Sequence, residues 1–525
     1  MALGTRIQVF LWGIIFVTFL ARVPSLVDEF HVSRFIVVSV FALWGTVLVL
    51  PRLRNLRLQM ADAVFFGFYA LSLISVSWAD NFGEAIFTAQ KYMLLALSYL
   101  LFRSIIAEDR IHRNQIFPVI VATSVLACLI VTAQILTQLS GEGLADKGVY
   151  EIIGFSGHKN LASSYFFILL GLQLFWLNEH GKKWWYILLA VWMVLLMLLL
   201  RTRAVYLAIA VAMVIWGVYL IFGNAKLRNL FLRRILPGIV LVGVLAFGAI
   251  RMTGAGEQYA KYLNPSTYLG TASATERLFV WSKTWELIEE KPITGYGAGN
   301  WKLFFPSKSV EGGYRLQEKD LIFTRVHNDF LEVWAETGVV GLLLFLLIFA
   351  FGILGALQQL RRAKLAYKTR WLAILSTIIG LLVISLFDFP KERLEHLVGL
   401  ALLVALATST DKTWVTRKQL LVGGKNYSLI LTGLLVVLLA INVPISYYRF
   451  HGDQASRQIL TYRNSDQYGI IKKNFEKGNS IWYNVDPMVI PLHWYQGIAY
   501  YMEGNYNEAK ENFVLAYDIN PYNFN

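Results

Sequence analysis

Long apolar runs dominate this chain and recur from its beginning to its end. A helix that crosses a bilayer needs about 20 mostly apolar residues, and about thirteen segments approach that length. They lie at approximately residues 7–26, 34–50, 61–78, 86–102, 116–139, 160–177, 184–200, 204–222, 235–251, 330–357, 371–388, 394–408 and 427–447. The pattern therefore predicts an all-α polytopic membrane protein with about thirteen transmembrane helices.

The composition supports a membrane protein and excludes several other classes. Of the 525 residues, 56% are hydrophobic and 16% are charged. About 25% are charged in an average soluble domain, and a disordered chain combines low hydrophobicity with high charge. Cys128 is the only cysteine, so the chain can form neither an intrachain disulfide nor a cysteine-based zinc site.

The net charge of +14 comes largely from short basic clusters between the apolar segments. Four clusters, at residues 52–57, 226–234, 361–370 and 412–425, fall on one side of a thirteen-span arrangement. The positive-inside rule makes this side cytoplasmic, so we expect the N-terminus inside and the C-terminus outside. Because the positive charge belongs to these loops, it does not indicate a nucleic-acid partner.

Two external segments remain, a loop at about residues 252–326 and a tail. We therefore divide the chain into a membrane domain, residues 1–450, and a tail, residues 451–525. Two short amphipathic helices separated by Gly504-Asn505 give the tail a resemblance to a tetratricopeptide repeat. One such unit cannot bury its apolar face, so it packs on the external loop, binds a partner or belongs to a longer array.

Three arginines lie on the external side, against the charge rule. Arg201 and Arg203 are at the junction of the seventh and eighth predicted spans, and Arg277 is in the large loop. Such residues either pair with carboxylates or bind an anionic ligand. The spacing of apolar residues predicts an amphipathic helix over 273–288, which places Arg277 in its first turn. A helix N-terminus with an arginine forms a phosphate-binding site.

His327 and Asn328 open the tenth predicted span from the outside. A histidine at a helix N-terminus is biased toward the neutral form that a general base needs, although nearby acidic residues favour the cation and a structural role stays open. His158 ends another external loop and either orients a substrate or caps a helix. The segment 388–393 lies outside between two spans and is a weaker candidate for the same cavity. The sequence contains no carboxylate–histidine cluster with metal-ligand spacing.

The residues that follow His327 resemble the signature of the bacterial O-antigen ligases and O-antigen polymerases. That signature is His, then Asn, Ser or Gln, nine residues, Gly, two residues, and Gly, Thr or Tyr. His327-Asn328, Gly338 and Gly341 fit it completely. The resemblance covers approximately residues 60–405 and includes three further segments: Arg201–Arg203, Arg277 with Trp281, and Pro292–Gly299.

The resemblance implies a glycosyltransferase of the GT-C type in the bacterial inner membrane, with the tail in the periplasm. The donor is expected to be a glycan on undecaprenyl pyrophosphate, and the acceptor a hydroxyl of lipid A core, another glycan or a protein. His327 would then be the catalytic base of an inverting reaction without metal or cofactor. The residues expected to bind substrate are Arg203, Arg201, Arg277, Asn328 and His158.

Other functions stay open at this point. The signature does not separate ligases from polymerases or protein O-oligosaccharyltransferases, and the tail departs from the ligase pattern. A transporter of lipid-linked sugars would also need many spans and membrane arginines, but it would not need His327 or so long a loop, and the sequence shows no inverted repeat. A third alternative is a scaffold that recruits a periplasmic protein through the tail.

Overall fold

The regular structure of the protein is helical, apart from one short strand pair. The computed structural model describes residues 3–53, 57–108, 114–140, 148–149, 151–177, 183–222, 228–229, 232–233, 236–252, 272–308, 323–409, 420–421 and 425–522. The predicted external loop is therefore described only in its parts 272–308 and 323–326, and several basic residues of the predicted cytoplasmic clusters, such as Lys226 and Lys412, lie outside the described residues.

The helices follow one another with short connections. The first of them are α1 (Leu3–Leu11), α2 (Thr18–Leu20), α3 (His31–Leu53), α4 (Met60–Ile74), α5 (Phe82–Glu108), α6 (Ile116–Ser140), α7 (Lys159–Trp176), α8 (Lys183–Leu199), α9 (Arg203–Ile221) and α10 (Leu236–Met252). They continue with α11 (Ala272–Glu290), α12 (Trp301–Phe304), α13 (Asp329–Arg362), α14 (Lys368–Phe387), α15 (Leu394–Thr408), α16 (Lys425–Ala440), α17 (Asn442–Tyr462), α18 (Tyr468–Gly478), α19 (Leu492–Met502) and α20 (Tyr506–Ile519). A π-helical stretch, Trp12–Val17, joins α1 to α2, and 3-10 turns occur at Ser75–Trp78, Phe305–Lys308, Leu365–Tyr367 and Pro390–Glu392.

Each predicted span coincides with helical residues. Within the described residues, 8 helices are long and apolar enough to cross a membrane, and shorter apolar helices lie at Gly4–Leu20, Trp184–Leu199, Leu236–Leu245 and Leu394–Thr408. The protein is thus an all-α polytopic membrane protein, as the hydrophobic pattern predicts. The exact number of thirteen spans stays a prediction.

A strand pair joins two of the loops that the charge pattern assigns to the cytoplasm. Strand β1 (Arg57–Leu58) pairs antiparallel with β2 (Leu420–Leu421), with Arg57 opposite Leu421. The loop after the second predicted span and the loop before the last one therefore meet at one end of the bundle. This agrees with the positive-inside pattern, which requires both loops on one side.

Helix α5 occupies the centre of the bundle. Its segment Phe82–Ile106 is buried along its whole length, and helices α3, α4 and α15 pack against it. A helix that is apolar on all sides suits this position. Next to it, α13 packs on α14, and α14 packs on α7 and α9. The external ends of α7, α9, α13 and α14 are therefore close neighbours.

The tail packs on the external loop, which is one of the three alternatives for its repeat-like unit. Val489 of the tail joins the apolar cluster of Leu287, Trp301 and Phe305 from that loop. In addition, Glu84 at the start of α5 binds Arg449 of α17 and Lys302 of the loop, each at 2.7 Å. The assignment of the tail to the tetratricopeptide repeats, and the domain boundary at residue 450, stay predictions.

Candidate functional site

Two histidines and one carboxylate meet at the end of the bundle that carries the external loop. His327 Nδ1 lies 3.9 Å from Asp388 Oδ1. The Phe389 ring contacts the His327 ring edge-on, with centroids 4.9 Å apart, and lies 6.3 Å from the His158 ring. The chain thus brings together segments that are far apart in the sequence, around one aromatic side chain.

His327 lies just outside the helix that it was predicted to enter. Its φ of 57° is in the left-handed region, which non-glycine residues rarely adopt. The next residue, Asn328, caps α13, because its Oδ1 accepts from the backbone N–H groups of Phe330 at 3.0 Å and Leu331 at 3.1 Å. Sequence spacing could not show this break, so the prediction of a continuous helical face from His327 was wrong. Substrate binding by Asn328 stays a prediction beside this capping role.

The carboxylate of Asp388 is buried and ionised. Burial favours its neutral form, but His327, Arg277 and His158 outweigh burial and hold the pKa of Asp388 below its usual value. At 3.9 Å the contact with His327 is an ion-pair distance, too long for a hydrogen bond. Among the described residues, neither His327 Nδ1 nor Asp388 Oδ2 has a hydrogen-bond partner. The pair can therefore close when a substrate arrives.

Buried ion pairs fix the loop that carries Asp388. Lys391 Nζ lies 2.7 Å from Glu332 Oε1 of α13, and the Lys391 backbone N–H donates to Asp329 Oδ2 at 3.1 Å. Both carboxylates are within the first turns of the helix that follows His327. These contacts hold the segments of Asp388 and His327 in one register, since a buried charge is costly without its partner.

The next two residues of the loop attach it to other helices. Glu392 binds Arg325 and accepts from Lys91 Nζ of α5 at 2.9 Å. Burial raises the pKa of Glu392, but these cations lower it further and place it well below the usual value. Arg393 NH1 contacts both carboxylate oxygens of Asp28 at 2.8 Å. The loop is therefore held from three directions.

His158 is the N-cap of α7, so the turn-and-cap interpretation of this segment is confirmed. Its Nδ1 accepts from the backbone N–H of Asn160 at 3.2 Å. Burial, with the positive charge of Lys159, lowers the pKa of His158 to about 4. The ring is therefore neutral at physiological pH, and because Nδ1 accepts, Nε2 carries the proton. His158 is thus a hydrogen-bond donor through Nε2.

The junction of Arg201 and Arg203 lies against the same segment. Thr202 Oγ1 donates to Asn160 Oδ1 at 3.4 Å, and Lys159 Nζ donates to the Leu200 carbonyl at 3.2 Å. Arg201 has a left-handed φ of 51°, which ends α8 and lets α9 begin at Arg203. The structure thus places the two arginines beside the cap of α7 that carries His158.

Arg277 is on α11, which the spacing of apolar residues predicted. The helix begins at Ala272, one residue before the predicted start, so Arg277 is in the second turn and not the first. The predicted phosphate site at the helix N-terminus was therefore wrong, because the small residues before Arg277 extend the helix. Arg277 instead lies close enough to Asp388 to stabilise its charge. Trp281 secures α11 here by donating to the Val326 carbonyl at 3.0 Å.

A backbone break in α13 explains the glycine of the His327 signature. Gly338 has a φ of 70° and a ψ of −176°, which interrupts the helix. The carbonyls of Ala335 and Glu336 accept instead from the N–H groups of Tyr296 at 2.9 Å and Gly297 at 2.8 Å. The glycine-rich segment after Pro292, predicted to be only a turn cluster, is thus hydrogen-bonded into the break and connects the external loop to α13.

Replacing Gly338 with alanine is expected to lower the free energy of unfolding by at least about 2 kcal/mol. A Cβ there would adopt a left-handed φ and lie 1.7 Å from the Ile293 carbonyl oxygen. Gly217, in the middle of α9, has no atom within 4 Å of such a Cβ and provides the matched control. Thermal unfolding in detergent should show a loss for Gly338→Ala and none for Gly217→Ala; equal melting temperatures would contradict the proposed backbone constraint.

Three contributors to the site were missed or ranked low from sequence. Asp388 belonged to a segment that was a weak candidate, and Arg325 and Lys91 were not singled out. Lys91 carried a usable signal, because a charged residue in the middle of an apolar span has a partner or a function. The partner of Lys91, Glu392, is 301 residues away, and no sequence spacing indicates that pairing.

Comparison with known proteins gives matches that include this site. Residues 188–346, which contain Arg201, Arg277 and His327, match the family described as O-antigen ligase. An O-antigen ligase of Salmonella typhimurium is 22% identical over 359 residues, which cover 61% of this chain and 83% of that protein. Polysaccharide ligases of Rickettsia conorii and Rickettsia typhi are 36% identical over 92 residues and 31% identical over 132 residues. These matches cover 17% and 24% of this chain, and only 22% and 30% of those relatives.

Proposed function

Because the chain belongs to the O-antigen ligase superfamily, we propose that it transfers a glycan from undecaprenyl pyrophosphate to an acceptor hydroxyl. The observation that carries this proposal is the pair of His327 and Asp388, which lies with Arg277 at one end of the bundle. A base for the hydroxyl and cations for the pyrophosphate are the groups that this displacement requires. We assign this end to the periplasmic face of the inner membrane, since the basic loops are predicted at the other end.

The proposed reaction is a single displacement at the anomeric carbon of the donor. His327 accepts the hydroxyl proton while the acceptor oxygen bonds to that carbon. The bond from the carbon to the pyrophosphate oxygen breaks, and the pyrophosphate leaves with the negative charge. Asp388 stabilises the imidazolium that forms on His327. Attack from the side opposite the leaving group inverts the anomeric configuration.

The charge of the leaving group is balanced by arginines in this proposal. Arg277 is near Asp388, and Arg201 and Arg203 lie beside the α7 cap. Guanidinium groups bind phosphate oxygens in a bidentate manner and keep their charge at any relevant pH. The neutral His158 adds an N–H donor that brings no further charge into the site. This set supplies the stabilisation that many phosphate-transfer sites obtain from a metal ion.

Purified protein in detergent provides the direct test. The donor is a radiolabelled oligosaccharide on undecaprenyl pyrophosphate, offered in separate reactions with lipid A core, with the same glycan as acceptor, and with a serine-containing peptide. We expect the label to move to one of these acceptors without nucleotide, with release of undecaprenyl pyrophosphate. Movement of intact donor across a vesicle membrane without any transfer would instead support a transporter.

Replacing Arg277 or Arg203 with alanine is expected to raise the apparent KM for the lipid donor by about tenfold or more. A lysine at either position should restore only part of this, because an ammonium group lacks the bidentate geometry. Arg457, exposed on the tail helix α17, is the matched control for loss of one arginine. Wild-type donor affinity in both alanine variants would assign these arginines a structural role.

A further inference from the structure

A strip of apolar side chains is exposed on α11 and the segment that follows it. Leu278, next to Arg277, is 52% exposed, and Trp285, two turns further, is 45% exposed. Ile293, after the helix, is 69% exposed. The ring of Trp281 is half-buried at the inner edge of this strip. Large apolar side chains that are exposed together mark a surface that contacts another molecule or the membrane.

The inner edge of the strip is attached to both halves of the candidate site. Trp281 Nε1 donates to the carbonyl of Val326, the residue before His327. The Trp281 ring also lies against Phe387, the residue before Asp388, with centroids 6.1 Å apart. One tryptophan thus connects the exposed face of α11 with the two segments that carry the proposed base and its carboxylate.

The outer end of the strip leads to the lipid-facing side of α13. The Trp285 ring contacts Trp334 of α13 edge-on, with centroids 5.3 Å apart, and Trp334 Nε1 donates to the Pro292 carbonyl at 3.1 Å. The Ile293 carbonyl packs directly on the Gly338 break. Beyond this break, α13 exposes Val340, Leu343 and Leu347 at helical spacing, as a membrane-facing surface does.

We propose that this strip, Leu278, Trp285, Trp334 and Ile293, binds the polyisoprenoid chain of the lipid-linked donor. The inference rests on the proposed function and adds the path of the lipid. A pyrophosphate held at Arg277 is attached to a long apolar chain that must reach the hydrocarbon region of the bilayer. The strip begins one residue from Arg277 and ends at the lipid-facing surface of α13. Tryptophans suit this route, because they are at home at the membrane interface.

Donors that differ only in the lipid test the proposal. The same glycan pyrophosphate is prepared on an undecaprenyl chain and on a short geranyl chain, and transfer is measured for the wild type, Leu278→Ala and Trp285→Ala. Both variants should raise the KM for the undecaprenyl donor by about tenfold and leave the KM for the geranyl donor unchanged. Trp184→Ala, which removes a 52% exposed tryptophan at the start of α8, should change neither value.

Each other result has a definite meaning. Equal changes for both donors, or no change, would overturn the proposal and leave the strip as a surface that rests on the bilayer. A wild type that transfers neither glycan would overturn the proposed function instead. If an alanine variant does not fold, the wild type is illuminated with an undecaprenyl donor that carries a photoreactive group in its chain. Adducts on α11 or near Trp334 support the proposal, and adducts found only elsewhere contradict it.

Discussion

Replacing His327 with alanine is expected to lower glycan transfer by about 10²–10⁴-fold, the range that a positioned general base contributes. Donor affinity should stay close to wild type, because the proposed pyrophosphate ligands are other residues. Stability should also change little, since the His327 side chain is 32% exposed and alanine removes a large residue from a left-handed φ. The loss should therefore appear in kcat, with KM for the donor nearly unchanged.

His451 provides the matched control for this variant. It is exposed on α17 and its ring contacts Tyr447, with centroids 4.5 Å apart, so its removal tests the loss of a histidine away from the site. Initial rates with a saturating acceptor, together with donor binding by a filter assay, separate catalysis from affinity. Turnover close to wild type in His327→Ala would eliminate His327 as the base, whatever the cause of its unusual backbone.

The sequence was sufficient for the membrane architecture because the signal is long and redundant. Each apolar run of about 20 residues specifies a helix by its own composition, with no need for distant contacts. The amphipathic helix that carries Arg277 and the cap at His158 were accessible for the same reason, since spacing and capping are local properties. The family signature added His327 as the base, a role that local chemistry alone left open.

The site itself depends on contacts that local patterns do not encode. Asp388 meets His327 only because α13 and α14 pack together, and Lys391 and Glu392 hold that loop through partners on other helices. The break at Gly338 was also hidden, because a glycine inside an apolar run is compatible with an uninterrupted helix. Its cause, the insertion of Tyr296 and Gly297 N–H groups, lies about 40 residues earlier in the chain.

Replacing Asp388 with asparagine is expected to lower the maximal transfer rate by about 10–100-fold, at the lower end of the range for acid–base groups. Asparagine keeps the shape and removes the charge that stabilises the imidazolium of His327. The neighbouring cations hold the pKa of Asp388 below its usual value, so this charge is present at every pH at which a histidine base operates. Donor KM should change less than the rate, because Asp388 does not contact the pyrophosphate in the proposed reaction.

The pH profile separates this role from a purely structural one. A histidine base is active when neutral, so the rate should rise with pH and reach a plateau. The carboxylate of Asp388 favours the protonated imidazole, so its removal should shift the rise to lower pH while the plateau falls. Asp388→Glu should restore part of the rate, and Asp466→Asn, at an exposed tail residue whose carboxylate accepts from Tyr468, should leave the profile unchanged. A lower plateau with an unshifted rise would mean that Asp388 only holds the loop, and that His327 acts without its charge.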